Sequence, residues 1–147
     1  MTAKLKVAIL AIFSLSLSIH TNVYSADHEA KEISETEKVL KHHLEAFGAG
    51  DVEEILKDYT EDSVVITQDG AIRGIEELRE LFTGLTTSLP PGSRFVMLKQ
   101  VVEGEYAYIV WSAGSAKMTI PFGTDTFRIV DGKIVAQTFA AQIMNRM

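Results

Sequence analysis

The chain has 147 residues, a formal net charge of −6 and no cysteine. An acidic balance argues against nucleic acid and anionic membrane as partners, because both select basic patches. The missing cysteine excludes disulfides, a thiolate nucleophile and Cys-based metal sites, so the fold rests on packing alone.

Residues 1–26 read as a secretory signal peptide. Lys4 and Lys6 give a basic start, Val7 to Ile19 is apolar apart from Ser14, Ser16 and Ser18, and His20 to Ala26 is short and more polar. Val23 and Ser25 fit a cut before Ala26; a cut after Ala26 would put bulky Tyr24 three residues upstream of it. No cysteine follows the apolar run, which excludes a lipoprotein anchor, and no later segment is long and apolar enough to cross a bilayer. The expectation is a periplasmic or secreted protein with no membrane association once the leader is removed. Roughly 120 residues then remain, enough for one domain and too few for two.

Residues 27–34 are polar and read as a flexible lead-in, and 35–147 as the domain. From Glu35 a helical stripe of Val39, Leu40, His43, Leu44 and Phe47 begins, with His42 expected to face solvent. "GAGD" ends it, with Gly48 or Gly50 as the left-handed cap and Asp51 as the cap of a second helix, Val52 to Tyr59. "SVVITQDG" reads as a strand running into an Asp69-Gly70 turn. "GIEELRELFTGL" gives a third helix, with the stripe Ile75, Leu78, Phe82 and Leu85 and an end near Gly84. "TTSLPPGS" is a loop, since consecutive prolines bar both helix and central strand. Four strands follow: Arg94 to Glu103, Tyr106 to Ala113, Lys117 to Val130 and Lys133 to Met144. Asp131-Gly132 is the hairpin turn between the last two.

Helices first and antiparallel strands afterwards imply an α+β domain: a curved antiparallel sheet with three N-terminal helices packed on its concave face. Such an arrangement leaves a cavity between helices and sheet.

Three segments resemble the nuclear transport factor 2-like superfamily, with its SnoaL-like and ketosteroid isomerase-like domains. "VLKHHLEAFGAGDVEEILKDYTEDSVV" is similar to its helix, Gly-Asp hinge, second helix and entry into the first strand; "IRGIEELRELF" to its third helix; "DTFRIVDGKIV" to its last hairpin. They span about residues 35–143. The resemblance implies that superfamily's cone-shaped fold, often dimeric, and a small-molecule pocket used for isomerisation, cyclisation, dehydration or hydrolysis, or for binding without catalysis. Set beside ketosteroid isomerases, His43 corresponds to their oxyanion-hole tyrosine and Asp125 to their oxyanion-hole aspartic acid, the acid kept neutral so that it donates a hydrogen bond. Thr67 stands where those enzymes have their general base. Asp69 shares its face and either replaces that base or serves the turn.

His43 and Asp125 are therefore the candidate catalytic residues. His43 on an apolar stripe is either a proton-transfer group or a half-buried histidine bonded to backbone. Asp125 is in phase with Phe127 and Ile129 but out of phase with Met118, Ile120 and Phe122, so a bulge near Gly123 is required. That bulge turns Asp125 inward or along the rim, and the inward placement is expected. Tyr59, Thr67, Phe82, Trp111, Phe127 and Phe139 are the candidate lining of an apolar pocket. The opposite face of the Trp111 strand carries Tyr106, Tyr108 and Val110, an expected homodimer surface. No cofactor is expected, and no metal, because the only close histidine pair, His42 and His43, diverges around a helix. The ligand class is a small apolar molecule, acted on by proton transfer or, alternatively, simply bound.

Overall fold

The structure, a computed structural model, describes residues 32–145. The expected signal peptide and most of the lead-in lie outside the described residues. Helix α1 (Glu35–Ala49) starts at Ser34, whose side chain accepts from Glu37 N while the Glu37 carboxylate accepts from Ser34 N. This reciprocal cap satisfies two otherwise orphaned donors. Gly50, at φ 70°, closes α1 in the left-handed region, and Asp51 accepts from Glu54 N to open α2 (Val52–Leu56). Helix α2 is shorter than its sequence pattern suggests, so Tyr59 sits beyond it.

Strand β1 (Val64–Thr67) turns into β2 (Gly70–Arg73), a short strand that the sequence pattern does not reveal. Helix α3 (Ile75–Ser88) passes through Gly84 instead of ending there. It stops at Leu89, where the following Pro90 disfavours helical backbone. Strands β3 (Arg94–Glu103), β4 (Tyr106–Gly114), β5 (Met118–Val130) and β6 (Lys133–Asn145) follow the sequence expectation within a residue or so. Asp131 at φ 50° and Gly132 at φ 71° form the tight turn between β5 and β6.

The six strands lie in the order β2-β1-β6-β5-β4-β3. The sheet is mixed, not wholly antiparallel: β1 pairs parallel with β6, Val65 opposite Gln137. That join connects segments distant in sequence, and nothing local in either strand sets its polarity. Helices α1 and α3 cover the concave face, and the core between them is built from Leu40, Ile55, Leu78, Phe82, Ile109 and Phe127, with contributions from every sheet-facing element. On the other face Tyr106 and Tyr108 are exposed and Val110 is half-buried. Among the described residues no helix is long and apolar enough to cross a membrane.

Candidate functional site

Between α1, α3 and the concave sheet lies a cavity of about 470 Å³. It falls within the range that holds a small organic molecule. Its walls are mostly apolar, and the buried polar side chains that border it are His43, Asp125 and Gln137.

A bulge aims Asp125 inward. Trp111 pairs with Gly123 while Ala113 pairs with Ile120, so β5 carries one residue more than β4 across this interval, around Pro121 and Phe122. Upstream of the bulge Ile120 is buried; downstream Gly123, Asp125, Phe127 and Ile129 face inward instead. Opposite Asp125 stand Ile109 on β4 and Phe139 on β6. Its hydrogen-bond partners are the diagonal neighbours on those same strands, which long side chains can reach. Trp111 Nε1 donates to Oδ2 at 2.6 Å and Gln137 Nε2 donates to Oδ1 at 2.8 Å. Beyond Gln137, the Tyr59 hydroxyl donates to Gln137 Oε1.

Glycine at 123 is what permits this arrangement. A Cβ there would lie 2.5 Å from the Trp111 ring, so only a residue without one lets the indole lie flat over the strand. Phe95 and Phe139 stack with this tryptophan, their ring centroids 5.5 and 6.3 Å from it. The indole N–H is thus aimed at the carboxylate by packing before any ligand enters.

Asp125 is 5% exposed. Burial pushes its carboxyl up to about 6, against the two hydrogen bonds, which favour the ionised form. Its proton is therefore held more tightly than that of an exposed aspartic acid. Burial also raises the Tyr59 hydroxyl well above its ordinary value, with the Asp125 and Asp58 charges adding to it, so Tyr59 stays a neutral donor.

His43 presents a different environment. It is 3% exposed, and Tyr59, Phe82 and Phe127 meet its ring edge-on at 5.3 to 5.8 Å. Burial lowers it to about 4, with a smaller contribution from neighbouring His42, so the ring is neutral at pH 7. It is not a half-buried histidine held by backbone. Its Nδ1 has no hydrogen-bond partner and lies 3.8 Å from Asp58 Oδ2, an oxygen that is also unpartnered.

Asp58 was invisible as a site residue in the sequence. It is buried, its Oδ1 bonds His42 Nδ1 at 2.8 Å, and His42 Nε2 bonds Glu54 Oε1 at 3.0 Å. His42, expected to be free in solvent, is instead half-exposed and held between two carboxylates, whose hydrogen bonds raise its pKa, Glu54 first. Burial raises Asp58 from its ordinary value while the bond to His42 opposes the rise.

Of the expected lining residues, Phe82, Trp111, Phe127 and Phe139 border the cavity. Tyr59 does not; it lies buried behind Gln137 and is joined to the cavity through it. Thr67 does not either. Its hydroxyl accepts from Asp69 N and donates to Gly70 O, so it is engaged in the β1–β2 turn at the strand's end. Asp69 is an exposed turn residue. Gln137 was also missed. A bulge between β5 and β6, where Arg128 pairs with Ala136 but Ile129 with Ile134, turns it inward, whereas unbroken alternation from the buried Ile134 would place it outward. Among the described residues no group of three His, Asp or Glu side chains is arranged to hold a metal ion.

Solved structures similar to this chain share the fold at low identity. A protein of unknown function from Burkholderia xenovorans, itself nuclear transport factor 2-like, is 21% identical over 74% of this chain and 83% of its own, with a TM-score of 0.61. A Kribbella flavida protein assigned provisionally as a ketosteroid isomerase is 13% identical over 77% of this chain and 82% of its own, TM-score 0.62. SalBIII, an epoxide hydrolase/cyclase-like enzyme of pyran ring formation in the polyether salinomycin, is 16% identical over 76% of this chain and 95% of its own, TM-score 0.63. No curated protein matches the chain in sequence. The family model of the SnoaL-like domain matches residues 40–137, from the helix that carries His43 to the strand that carries Gln137, and the chain belongs to this family of nuclear transport factor 2-like fold.

Proposed function

We propose that this is an exported enzyme that binds a small, neutral, largely apolar molecule in the concave cavity and transfers a proton on it. Asp125 and His43 are the acid/base pair of that reading. The observation that carries it is the carboxyl of Asp125: buried beside an apolar cavity, fixed by Trp111 and Gln137, and poised to exchange its proton at about 6. When protonated it donates to an oxygen on the ligand; when ionised it is a base held in place by two donors. His43, neutral and bordering the same cavity, supplies the second proton-transfer group. The reaction class is isomerisation, cyclisation, dehydration or hydrolysis. We further propose that the Tyr106–Tyr108 face forms a homodimer interface.

A second reading is binding without turnover in the periplasm. Thr67 favours it, because the strand position that would carry a base is committed to a turn and brings no carboxylate to the cavity.

The test is a carboxyl-carbon NMR titration of Asp125, free and with phenol, combined with Asp125→Asn. A midpoint near 6 that moves further up with phenol supports the donating acid. A midpoint at or below the ordinary carboxylate value of about 3.9, indifferent to phenol, overturns it. Asp125→Asn abolishes turnover in the catalytic reading; unchanged ligand affinity with no turnover in the wild-type protein supports simple binding.

A further inference from the structure

The two unpartnered atoms at the back of His43 face each other. His43 Nδ1 and Asp58 Oδ2 are 3.8 Å apart, too far for a hydrogen bond, and each belongs to a residue that is more than nine-tenths buried. Leaving two such groups unsatisfied is costly, and it is the kind of exception that calls for a role. From Asp58 the contacts continue outward. Asp58 Oδ1 bonds His42 Nδ1, and His42, half-exposed, bonds Glu54. Adjacent residues on a helix diverge by about 100°, so His43 turns to the cavity while His42 turns to solvent, and Asp58 from the following segment touches both.

We propose that His42, Asp58 and His43 form a proton relay between solvent and the concave cavity, with Asp58 as its positioning and carrying residue. The proposal rests on the reading of that cavity as a proton-transfer site. Asp58 selects the His43 tautomer that carries its proton on Nδ1, since a bare nitrogen lone pair facing a carboxylate oxygen is repulsive. That leaves Nε2 as the basic atom of a ring that borders the cavity. Closure of the gap by about 1 Å would make the Nδ1–H to Oδ2 hydrogen bond, and such bonds are commonly long before a ligand is present.

One passage moves one proton and no electrons. Nε2 takes a proton from the ligand, and Nδ1 releases its own to Asp58. The carboxyl then turns and hands its proton to Nδ1 of His42 in its neutral Nε2–H tautomer, and the Nε2 proton of the resulting imidazolium leaves to Glu54 or water. The reverse sequence delivers a proton to the cavity. The charged and titratable groups around this chain are Glu54 and Lys57 at α2, Lys133 of β6, Tyr59 behind the His43 ring, and Asp125 across the cavity. Burial raises Asp58 and lowers His43, which narrows the gap between them and favours transfer over a permanent ion pair.

Nitrogen NMR of the histidine-labelled protein tests this without a known substrate. The expected result is the Nδ1–H tautomer at His43, with its exchange with water slowed by roughly tenfold or more in His42→Gln. An Nε2–H tautomer, or exchange indifferent to His42→Gln, overturns the relay. Should His42→Gln fold poorly, Glu54→Gln, at the exposed end, carries the same expectation. Phenol binding, followed by the fluorescence of Trp111, the single tryptophan, separates the two ideas. Failure to bind phenol with the tautomer and exchange as expected sinks the cavity reading and leaves the relay. Phenol binding with the opposite tautomer, or with unaltered exchange, does the reverse.

Discussion

The two groups proposed to transfer the proton, Asp125 and His43, border the same cavity but are built by different elements. Asp125 stands on a sheet whose neighbouring strands project side chains at fixed diagonal spacings, and both its oxygens find donors there, from Trp111 and Gln137. His43 stands on a helix surrounded by aromatic edges, and its buried nitrogen finds none. Burial pushes both toward their neutral forms, Asp125 to about 6 and His43 to about 4. Hydrogen bonding restrains the shift of the acid, whereas the histidine Nδ1 has no hydrogen bond to oppose burial. The sheet side is a preorganised group that needs no movement; the helix side is a slack one that gains a partner only when Asp58 approaches.

The largest expected effect breaks the sheet side. Because the folded-state pKa of Asp125 is raised, the native protein holds this proton more tightly than the unfolded chain between about 4 and about 6. The associated stability is fully present below about 4 and is lost as pH rises through about 6. The loss by pH 7 is about 3 kcal/mol. Asp125→Asn removes it, so the difference between variant and wild type in urea unfolding shifts toward the variant by up to about that amount from pH 4 to pH 8. Asparagine keeps the Trp111 bond, and the Gln137 amide turns over to accept from it. A pH-independent difference would show that the acid is already ionised or solvated at pH 4.

A smaller loss follows from Gly123→Ala. The added Cβ falls 2.5 Å from the buried Trp111 ring, and overpacking of this kind costs about 1–3 kcal/mol. It also displaces the indole from Asp125, so Trp111 fluorescence changes along with the unfolding midpoint. A wild-type emission spectrum in the variant would mean that the indole is not fixed by this contact.

The smallest effect sharpens the contrast. Tyr59→Phe deletes the donor to Gln137 Oε1 and leaves that buried oxygen unsatisfied, at a cost of about 1–2 kcal/mol. The Gln137 amide is then free to turn, so the Asp125 midpoint in the NMR titration moves further up as one of its donors is weakened, while His43, which meets Tyr59 only edge-on, keeps its tautomer. A shift at His43 equal to that at Asp125 would show that the two sides are one network.

Sequence alone carried much of the fold. The left-handed cap within "GAG", the Asp131-Gly132 turn and the alternation of the long strands are signals written within a few residues, and backbone sterics act over that range. The phase reversal around Gly123 likewise showed that β5 must bulge. Tertiary structure alone decided the rest. The parallel join of β1 to β6 brings together distant segments, and strand polarity across such a join has no local signature. Gln137 turns inward because of a bulge in the β5–β6 ladder, and Asp58 matters only because chain folding sets it against adjacent histidines of α1. Periodicity reveals which residues are buried. Which buried polar atoms meet, and which are left facing one another across a gap, depends on distances between elements that no local pattern encodes.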